Sequence, residues 1–361
     1  MRYVLLAAAL AAPATGSAQR LSVAVLPERP LIERSNCCQL VNFDFELRTA
    51  GADTLDLVGI HVTALDAGGR VLALKHVGLN GMVPSIRTVA QTKVVPGRPT
   101  TVFNPFYSWD KRDRFASLRF RFELRGRAGV VEDSVTVSPT YYQTKTDLVL
   151  PLQGWILVHD GHDYYSHHRR MDMAVLRQIG LAKAQFNRYA YDFSIVDPEG
   201  RLNRTGGKTN ADWYGYGAEV VAPGAGVVKV AVNDAKEHVL PDDAKFDGEA
   251  ALKQPDTIAG NHVVIDHGNG ECSFLAHLQK GSVTVAVGEK VRRGQPIGKM
   301  GLSGDSNWLP HVHYQLMSSC AYQEAEGLPS YFSGFARAGA KTGDHERRGQ
   351  IDTGDIVVVR P

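Results

Sequence analysis

Short stretches in which apolar and polar residues alternate indicate a series of strands in the first part of the chain. Turn-forming segments rich in Gly, Asp and Thr separate these stretches. Short strands with turn signals every ten or so residues are typical of an immunoglobulin-like sandwich. We therefore predict an N-terminal β-sandwich domain over residues 19–147, which would act as a packing or positioning module. The predicted strands cover residues 40–47, 57–65, 117–124 and 130–137.

A second β-rich unit is predicted over residues 148–361. Its clearest feature is a hairpin in which two apolar stretches, 262–267 and 272–278, flank a Gly-Asn-Gly turn. An Asn-Gly step between apolar stretches is a strong signal for a tight turn. A short helix is predicted at 173–184, and residues 321–361 are expected to form a C-terminal tail. The fold class predicted for the chain is mainly all-β, with an antiparallel β domain and minor helix after the sandwich.

The sequence Pro-His-Val-His-Tyr-Gln-Leu at residues 310–316 places two histidines at alternate positions of a predicted strand. Because side chains on a strand alternate between its two faces, His311 and His313 should project to the same side. The residues between and after them, Val312, Tyr314 and Leu316, should then face the core. Two imidazoles side by side suit metal binding or paired acid–base chemistry.

The first residues have the order of a secretory signal. Met1-Arg2 supplies a positive charge, residues 4–12 are almost entirely apolar, and small residues follow at 16–18. The apolar run is too short to remain as a membrane span, and no later stretch is long and apolar enough to form one. We expect a signal peptide over residues 1–18, cleavage near Ala18, and a periplasmic or secreted protein.

Composition narrows the class of protein without indicating an activity. The 361 residues correspond to about two domains, and 43% hydrophobic with 22% charged residues is ordinary for a globular protein. Lys and Arg number 40 against 38 Asp and Glu, a net charge of +2, which argues against a nucleic-acid partner. None of the four cysteines lies in a CxxC pair, so a zinc ribbon is not expected. An exported protein permits a disulfide between Cys272 and Cys320, but the sequence leaves this pairing open.

Five motifs follow one another along the second unit, at residues 216–228, 260–268, 276–278, 287–295 and 303–313. Their order and spacing resemble those of the lysostaphin/LytM-type zinc endopeptidases, and the resemblance covers roughly residues 150–320. It implies a compact antiparallel β domain with a groove over the sheet. Members of this family mostly cut peptide bonds in bacterial cell-wall cross-links.

The resemblance also implies the roles of three histidines. His313 would be a ligand of one Zn²⁺ ion in the catalytic domain. His277 and His311 would be the unliganded catalytic pair, which would orient or deprotonate the attacking water and stabilise the tetrahedral oxyanion. Zinc lowers the pKa of bound water to about 7, so hydroxide becomes available near neutral pH.

The sequence leaves three possible pairs of residues for the two remaining metal ligands. The usual His-x-Gly-x-Asp motif of the family is only partly present at residues 168–172, where Arg stands in place of Gly. An insertion-containing subset of the family instead separates a His-Arg-Arg stretch from a later Arg-(Phe/Tyr)-Ala-x-Asp, which is residues 188–192 here. The candidate ligands beside His313 are therefore His168 and Asp192, with Asp172 and His167 as less favoured alternatives.

Together these features predict an exported zinc metalloendopeptidase, and by resemblance its expected substrate is a peptide cross-link of peptidoglycan. One alternative is a non-catalytic cell-wall-binding or regulatory protein on the same scaffold, and another is a peptidase that acts on exported proteins. The N-terminal sandwich would position the catalytic domain or dock it on a protein partner.

Overall fold

The computed structural model describes residues 21–178, 180–241, 257–306, 309–340, 346 and 348–360. The predicted signal peptide therefore lies outside the described residues. In the first part of the chain the strands are β1 (Leu21–Leu26), β2 (Leu31–Arg34), β3 (Cys38–Val41), β4 (Asp44–Thr49), β5 (Leu55–Leu65), β6 (Val71–Gly78), β7 (Lys93–Val94), β8 (Thr100–Phe103), β9 (Ser108–Asp110), β10 (Ser117–Gly126), β11 (Gly129–Val137) and β12 (Thr140–Tyr141).

These strands form three sheets that share one core, and their pairs are antiparallel except for β12, which pairs parallel with β2. One sheet has the order β1-β4-β8, a second has β11-β10-β5-β6 with β7 beside β5, and a third has β12-β2-β3-β9. Phe45 of β4 lies with its ring centroid 4.8 Å from both Phe120 and Phe122 of β10. These fully buried rings join the first two sheets. The immunoglobulin-like assignment of this part and its limits at 19–147 stay predictions.

The second part of the chain is built on one large sheet whose strands differ in length. Among the described residues the sheet has the order β20-β17-β18-β19-β22-β15-β14-β26-β25, with β23 beside β22. The elements are β13 (Leu148–Val149), β14 (Gly154–Asp160), α1 (Met173–Gln178), β15 (Tyr191–Val196), β16 (Glu219–Val221), β17 (Gly226–Val232), β18 (Asn261–Asp266), β19 (Cys272–Leu278), β20 (Lys290–Val291), β21 (Pro296–Lys299), β22 (Val312–Met317), β23 (Gly327–Leu328), β24 (Phe332–Ser333), β25 (Ala336–Arg337) and β26 (Ile356–Val359). Single 3₁₀ turns cover Ser85–Thr88, Asn210–Asp212 and Tyr322–Glu324.

The mainly β fold class is confirmed, and two local predictions need correction. The helix predicted at 173–184 ends at Gln178, and Gly180 follows with a φ of +74°. That left-handed backbone cannot continue a right-handed helix and is favoured by glycine. The residues predicted as a C-terminal tail instead extend the sheet, because β26 pairs antiparallel with β14 and Ile351 and Val357 are fully buried.

The sulfur atoms of Cys272 and Cys320 are bonded, which connects β19 to the segment after β22. Cys37 and Cys38 are also paired. No helix within the described ranges is long and apolar enough to cross a membrane.

A buried carboxylate fixes the segment that connects the two parts of the chain. Glu271, at the turn between β18 and β19, is fully buried. It accepts hydrogen bonds from the Tyr142 hydroxyl at 2.5 Å, the Lys145 amide at 2.7 Å, and both the amide and the hydroxyl of Thr146 at 2.8 and 2.6 Å. Burial raises the pKa of Glu271, but these hydrogen bonds outweigh it and hold the pKa below its usual value.

We expect Glu271→Gln to lower the free energy of unfolding at pH 7 by about 1–3 kcal/mol, because a buried amide cannot accept all four bonds. The contribution of the carboxylate is present above its unfolded pKa of about 4.5, and it is lost as the pH falls through the lower folded pKa. The difference between variant and wild type should therefore shrink on acidification in urea titrations. Glu132→Gln, at a half-exposed ion pair, is the matched control and should change stability by less than about 0.5 kcal/mol; equal effects at both positions would contradict this account.

Candidate metal centre and cleft

A cleft of about 500 Å³ lies over the sheet where β14, β15, β22 and β19 come together. Its polar end contains most of the site residues that the sequence predicted. They are His167, His168, Asp192, His277, His311 and His313. The other wall is apolar and includes Leu176 of α1 together with Phe186 and Phe274.

Strand pairing brings Asp192 and His313 together although they are distant in sequence. The register of β15 against β22 places the two residues opposite each other. The Oδ1 atom of Asp192 lies 3.0 Å from Nδ1 of His313, 3.5 Å from Nε2 of His168 and 3.6 Å from Nε2 of His311. The carboxylate is 4% exposed, so three imidazoles surround a nearly water-free charge. Val312, Tyr314 and Leu316 lie in the core as predicted.

His168 presents a lone pair to this carboxylate. Its Nδ1 lies 2.8 Å from the carbonyl oxygen of Gly161, so Nδ1 donates a proton there and Nε2 carries the lone pair. The Nε2 atom is buried and has no hydrogen-bond partner among the described residues. A histidine whose second nitrogen is fixed by a backbone carbonyl is the usual arrangement of a metal ligand.

His313 is oriented in the same sense. Its Nδ1 lies 3.0 Å from Oδ1 of Asp192 and its Nε2 lies 2.9 Å from Oε1 of Gln315, both within hydrogen-bond distance. When the ring is neutral and donates from Nε2 to Gln315, Nδ1 offers a lone pair beside Asp192, as Nε2 of His168 does. One carboxylate oxygen and two imidazole nitrogens therefore meet in the same small region. The two nitrogen–oxygen separations of 3.0 and 3.5 Å are close to the edge, about 3.3 Å, of a tetrahedron with zinc–ligand bonds of 2.0–2.1 Å. Imidazole nitrogens and a carboxylate oxygen are donor types that suit a divalent cation such as zinc.

The two less favoured ligand candidates have different positions. Asp172 does not enter the cleft, because its carboxylate accepts hydrogen bonds from Thr101 Oγ1 at 2.7 Å and Gln91 Nε2 at 3.2 Å. His167 lies at the mouth of the cleft with its Nδ1 paired to Asp160. The ligand atoms of Asp160, His167, His168 and Asp192 all lie within 4.8 Å of one another.

His277 is held in a strained backbone conformation. Its φ is +62°, which makes it the one non-glycine residue of the described chain in the left-handed region. The strain arises at a bulge, since Leu278 pairs with Asn261 but Leu275 pairs with Val263. Such a conformation costs on the order of 1–3 kcal/mol, and its retention at a cleft indicates a constraint on where the side chain must be.

His277 and His311 both direct Nε2 towards the cleft. Nδ1 of His277 donates to the carbonyl oxygen of Ser303 at 2.9 Å, and Nδ1 of His311 donates to that of Leu309 at 3.0 Å. The two ring centroids are 4.8 Å apart. With Nδ1 held by a carbonyl oxygen, Nε2 of each ring is the atom that can exchange a proton with a substrate or water.

Burial and neighbouring charges fix the charge states at neutral pH. Burial raises the pKa of Asp192, but the neighbouring His168, His311 and His313 outweigh it and hold the pKa well below its usual value. Burial is the main reason that the pKa of His277 lies well below its usual value, and the neighbouring His311 and His313 lower it further. Asp192 is therefore ionised and His277 neutral at pH 7.

Sequence reasoning missed His159, which completes this end of the cleft. It is the residue before the last of β14, with its ring centroid 5.3 Å from that of His311 and its Nδ1 3.3 Å from Ser194 Oγ. Burial and the nearby His311 lower its pKa to about 4. In the sequence, His159 appears only as a polar residue near the end of an otherwise apolar strand. That pattern could not show that β14 lies two strands from β22 in the sheet and so brings His159 close to His311.

We expect His159 to make the metal-free protein sensitive to acid. Its folded pKa is below the unfolded value of about 6.5, so only the unfolded chain takes up the proton as the pH falls from 6.5 towards 4. The free energy of unfolding then decreases by at most about 1.4 kcal/mol per pH unit for this group. His159→Gln should reduce that slope in urea titrations between pH 7 and 5, whereas His76→Gln, at an exposed position of β6, should leave it unchanged. An undiminished slope in His159→Gln would refute the assignment.

Comparison with known proteins identifies part of this region. Residues 212–325 match the sequence model of peptidase family M23. The matched segment includes His277, His311 and His313, whereas His168 and Asp192 precede it. Peptidoglycan DD-endopeptidase ShyA of Vibrio cholerae is 42% identical over 71 residues, which are 20% of this chain and 16% of that protein.

Solved structures overlap with the chain in part. The catalytic domain of lysostaphin from Staphylococcus simulans is 20% identical, with a TM-score of 0.24, over 40% of this chain and 81% of that one. A zinc-containing peptidase from Vibrio cholerae is 13% identical, with a TM-score of 0.26, over 80% of each chain.

Proposed function

Because the chain contains a domain of peptidase family M23, the LytM-type peptidases, we propose that it is an exported zinc endopeptidase that cleaves peptide cross-links in peptidoglycan. The observation that carries the proposal is the meeting of the buried Asp192 carboxylate with one ring nitrogen each of His168 and His313, at 3.5 and 3.0 Å. We assign His168 Nε2, Asp192 and His313 Nδ1 as the ligands of one zinc ion. When bound there, zinc would supply a Lewis acid that polarises the scissile carbonyl and acidifies water.

The proton-transfer roles fall to the two histidines with free Nε2 atoms. We assign neutral His277 as the group that accepts a proton from the attacking water and later returns it to the leaving amine. We assign His311, in the form that carries a proton on Nε2, as the group that stabilises the negative charge developing on the carbonyl oxygen. The low pKa of His277 in the metal-free protein supports the neutral form that this first step needs.

Two observations support a substrate outside the cytoplasm. The relative with the 71-residue match is named as a peptidoglycan endopeptidase. The Cys272–Cys320 disulfide is of the kind that persists in oxidising compartments, in agreement with the signal peptide expected at residues 1–18.

The apolar wall of the cleft, which includes Leu176 and Phe274, suits the methyl groups of an alanine-containing peptide.

We expect Asp192→Asn to weaken zinc binding by more than about 100-fold, because loss of a direct ligand should exceed the 10–100-fold typical of groups outside the ligand shell. Asp172→Asn is the matched control, since Asp172 bonds only to groups away from the cleft, and it should bind zinc like the wild type. Competition with a chromophoric chelator measures both affinities. A loss confined to Asp172→Asn would exclude the ligand set proposed here.

We expect the zinc-loaded protein to release soluble fragments from purified sacculi, and a chelator to stop the release. His277→Gln and His311→Gln should keep zinc and lose about 10²–10⁴-fold in rate, since each removes a proton-transfer or charge-stabilising group. His76→Gln should keep full activity. Cleavage of casein without cleavage of sacculi would reject the substrate, and bound zinc without any cleavage would favour a binding protein.

A further inference from the structure

A buried cluster of charges joins the first part of the chain to the metal centre. Asp44, the first residue of β4, is 2% exposed, and the two arginines that contact it, Arg169 and Arg188, are 0% and 1% exposed. Buried charges of this kind are tolerated only when they are paired and hydrogen-bonded.

Each oxygen of Asp44 contacts a different arginine. Arg169 Nη1 donates to Oδ1 at 2.5 Å, and Arg188 Nη1 donates to Oδ2 at 2.6 Å. Arg169 also donates from Nη2 to the carbonyl oxygen of Phe43 at 2.8 Å. Arg188 Nε pairs with Glu326, which lies between β22 and β23. One carboxylate therefore holds two guanidinium groups from different segments.

Both segments carry a proposed zinc ligand. Arg169 directly follows His168, and Arg188 precedes Asp192 by four residues. The backbone of His168 is tied to the second segment as well, because Gln185 Nε2 donates to its carbonyl oxygen at 2.8 Å. These stretches lie outside helix and strand until β15 begins at Tyr191, so their positions depend on side-chain contacts together with a few backbone hydrogen bonds of turns.

We propose that Asp44 is a positioning residue for the metal centre: by holding Arg169 and Arg188 on one carboxylate, it sets the distance between His168 and Asp192. This inference rests on the proposed function, because it takes these two residues as zinc ligands. By this proposal the first part of the chain helps to shape the metal site. None of the described residues of that part lines the cleft.

A second contact from the first part of the chain supports the same role. Glu33 of β2 is fully buried, and its Oε2 lies 2.8 Å from Nε2 of His162. The ring of His162 lies 4.8 Å from that of Tyr191 and 5.3 Å from that of Tyr189, centroid to centroid. The segment leading to Asp192 is therefore held from two sides by residues of the first part.

Removal of the Asp44 charge has a defined consequence. Arg188 would keep the charge of Glu326, whereas Arg169 would keep only neutral acceptors, the Phe43 carbonyl and at most one amide oxygen of an asparagine at position 44. An uncompensated guanidinium charge would then remain in a nearly water-free place. Since such a charge is costly, its segment must shift to reach water or another partner. His168 is adjacent to Arg169 and would move with it.

The test compares Asp44→Asn with Glu46→Gln in the full chain. Glu46 is on the same strand and pairs with Arg177 at 2.6 Å, but Arg177 lies on α1 and is not next to a proposed ligand. Zinc affinity is measured by chelator competition at a temperature where circular dichroism shows each variant folded. Asp44→Asn should bind zinc about 10–100-fold more weakly, the usual effect of removing support for metal ligands, and Glu46→Gln should remain within about twofold of wild type.

Arg169→Lys is the second variant, and it tests the positioning role of Asp44 if Asp44→Asn does not fold. Lysine keeps the charge but has no planar fork to donate to both Asp44 and Phe43, so zinc affinity should again fall by about 10-fold or more. The Co²⁺-substituted protein gives a second readout, since its visible absorption bands report ligand geometry and should differ between Arg169→Lys and Glu46→Gln.

The outcomes separate this inference from the proposed function. If the wild type binds zinc through Asp192 and both Asp44→Asn and Arg169→Lys bind it equally tightly, the role of Asp44 is refuted and the proposed function stands. If the wild type binds no zinc, or binds it equally well without Asp192, the proposed function fails and the role of Asp44 fails with it.

Discussion

The charge on the Asp192 carboxylate is the constraint on which the rest of this site depends. An ionised carboxylate that is nearly closed off from water must be compensated by cations or hydrogen-bond donors. A neutral His168 donates its ring proton to the Gly161 carbonyl, and a neutral His313 has one proton for two acceptors, Asp192 and Gln315. These two rings therefore supply at most one donor to the carboxylate. We propose that a cation between the three groups compensates this charge, and the nitrogen–oxygen separations of 3.0 and 3.5 Å suit one.

The surrounding structure can be understood as the means of holding that arrangement. Antiparallel pairing of β15 with β22 places Asp192 against His313, and the two histidines of β22 lie on one side because a strand alternates its side chains. His277 reaches the same cleft only through a bulge with a left-handed backbone. The cost of that conformation is offset by the large core beneath the sheet, so strain is concentrated where proton transfer is proposed.

The first part of the chain has a role beyond packing in this account. A buried Arg–carboxylate–Arg arrangement is weak evidence for stability, because the free-energy cost of removing these charges from water offsets most of their Coulombic attraction. Its value here lies in geometry, because one carboxylate fixes two segments that have little regular structure of their own. A separate sandwich placed elsewhere on the surface would not have this effect, which gives a physical reason for the close contact between the two parts.

Sequence reasoning succeeded where the determinants are local. The hairpin at 262–278 was predicted to within a residue at each end, because an Asn-Gly turn and two apolar stretches define it. The common face of His311 and His313 follows from the period of a strand. The meeting of His168 with Asp192 was available only through the resemblance to a family, since nothing in their spacing reveals it.

Other features depend on tertiary contacts and left no readable pattern. Asp44 is an ordinary polar position of an alternating strand, and its partners lie 125 and 144 residues away. The C-terminal strands are two to four residues long, too short for a periodic signal, and were expected to be a tail. Helix α1 was predicted too long because its apolar periodicity continues past Gly180, whose backbone conformation ends it.

The most direct test of the central claim is the position of the metal in a crystal of the zinc-soaked protein, located by anomalous scattering at the zinc absorption edge. The account predicts one strong peak about 2.0–2.2 Å from His168 Nε2, an Asp192 oxygen and His313 Nδ1. A peak held by Asp160 and His167 instead, or no peak in the cleft at full zinc occupancy of the protein, would contradict it.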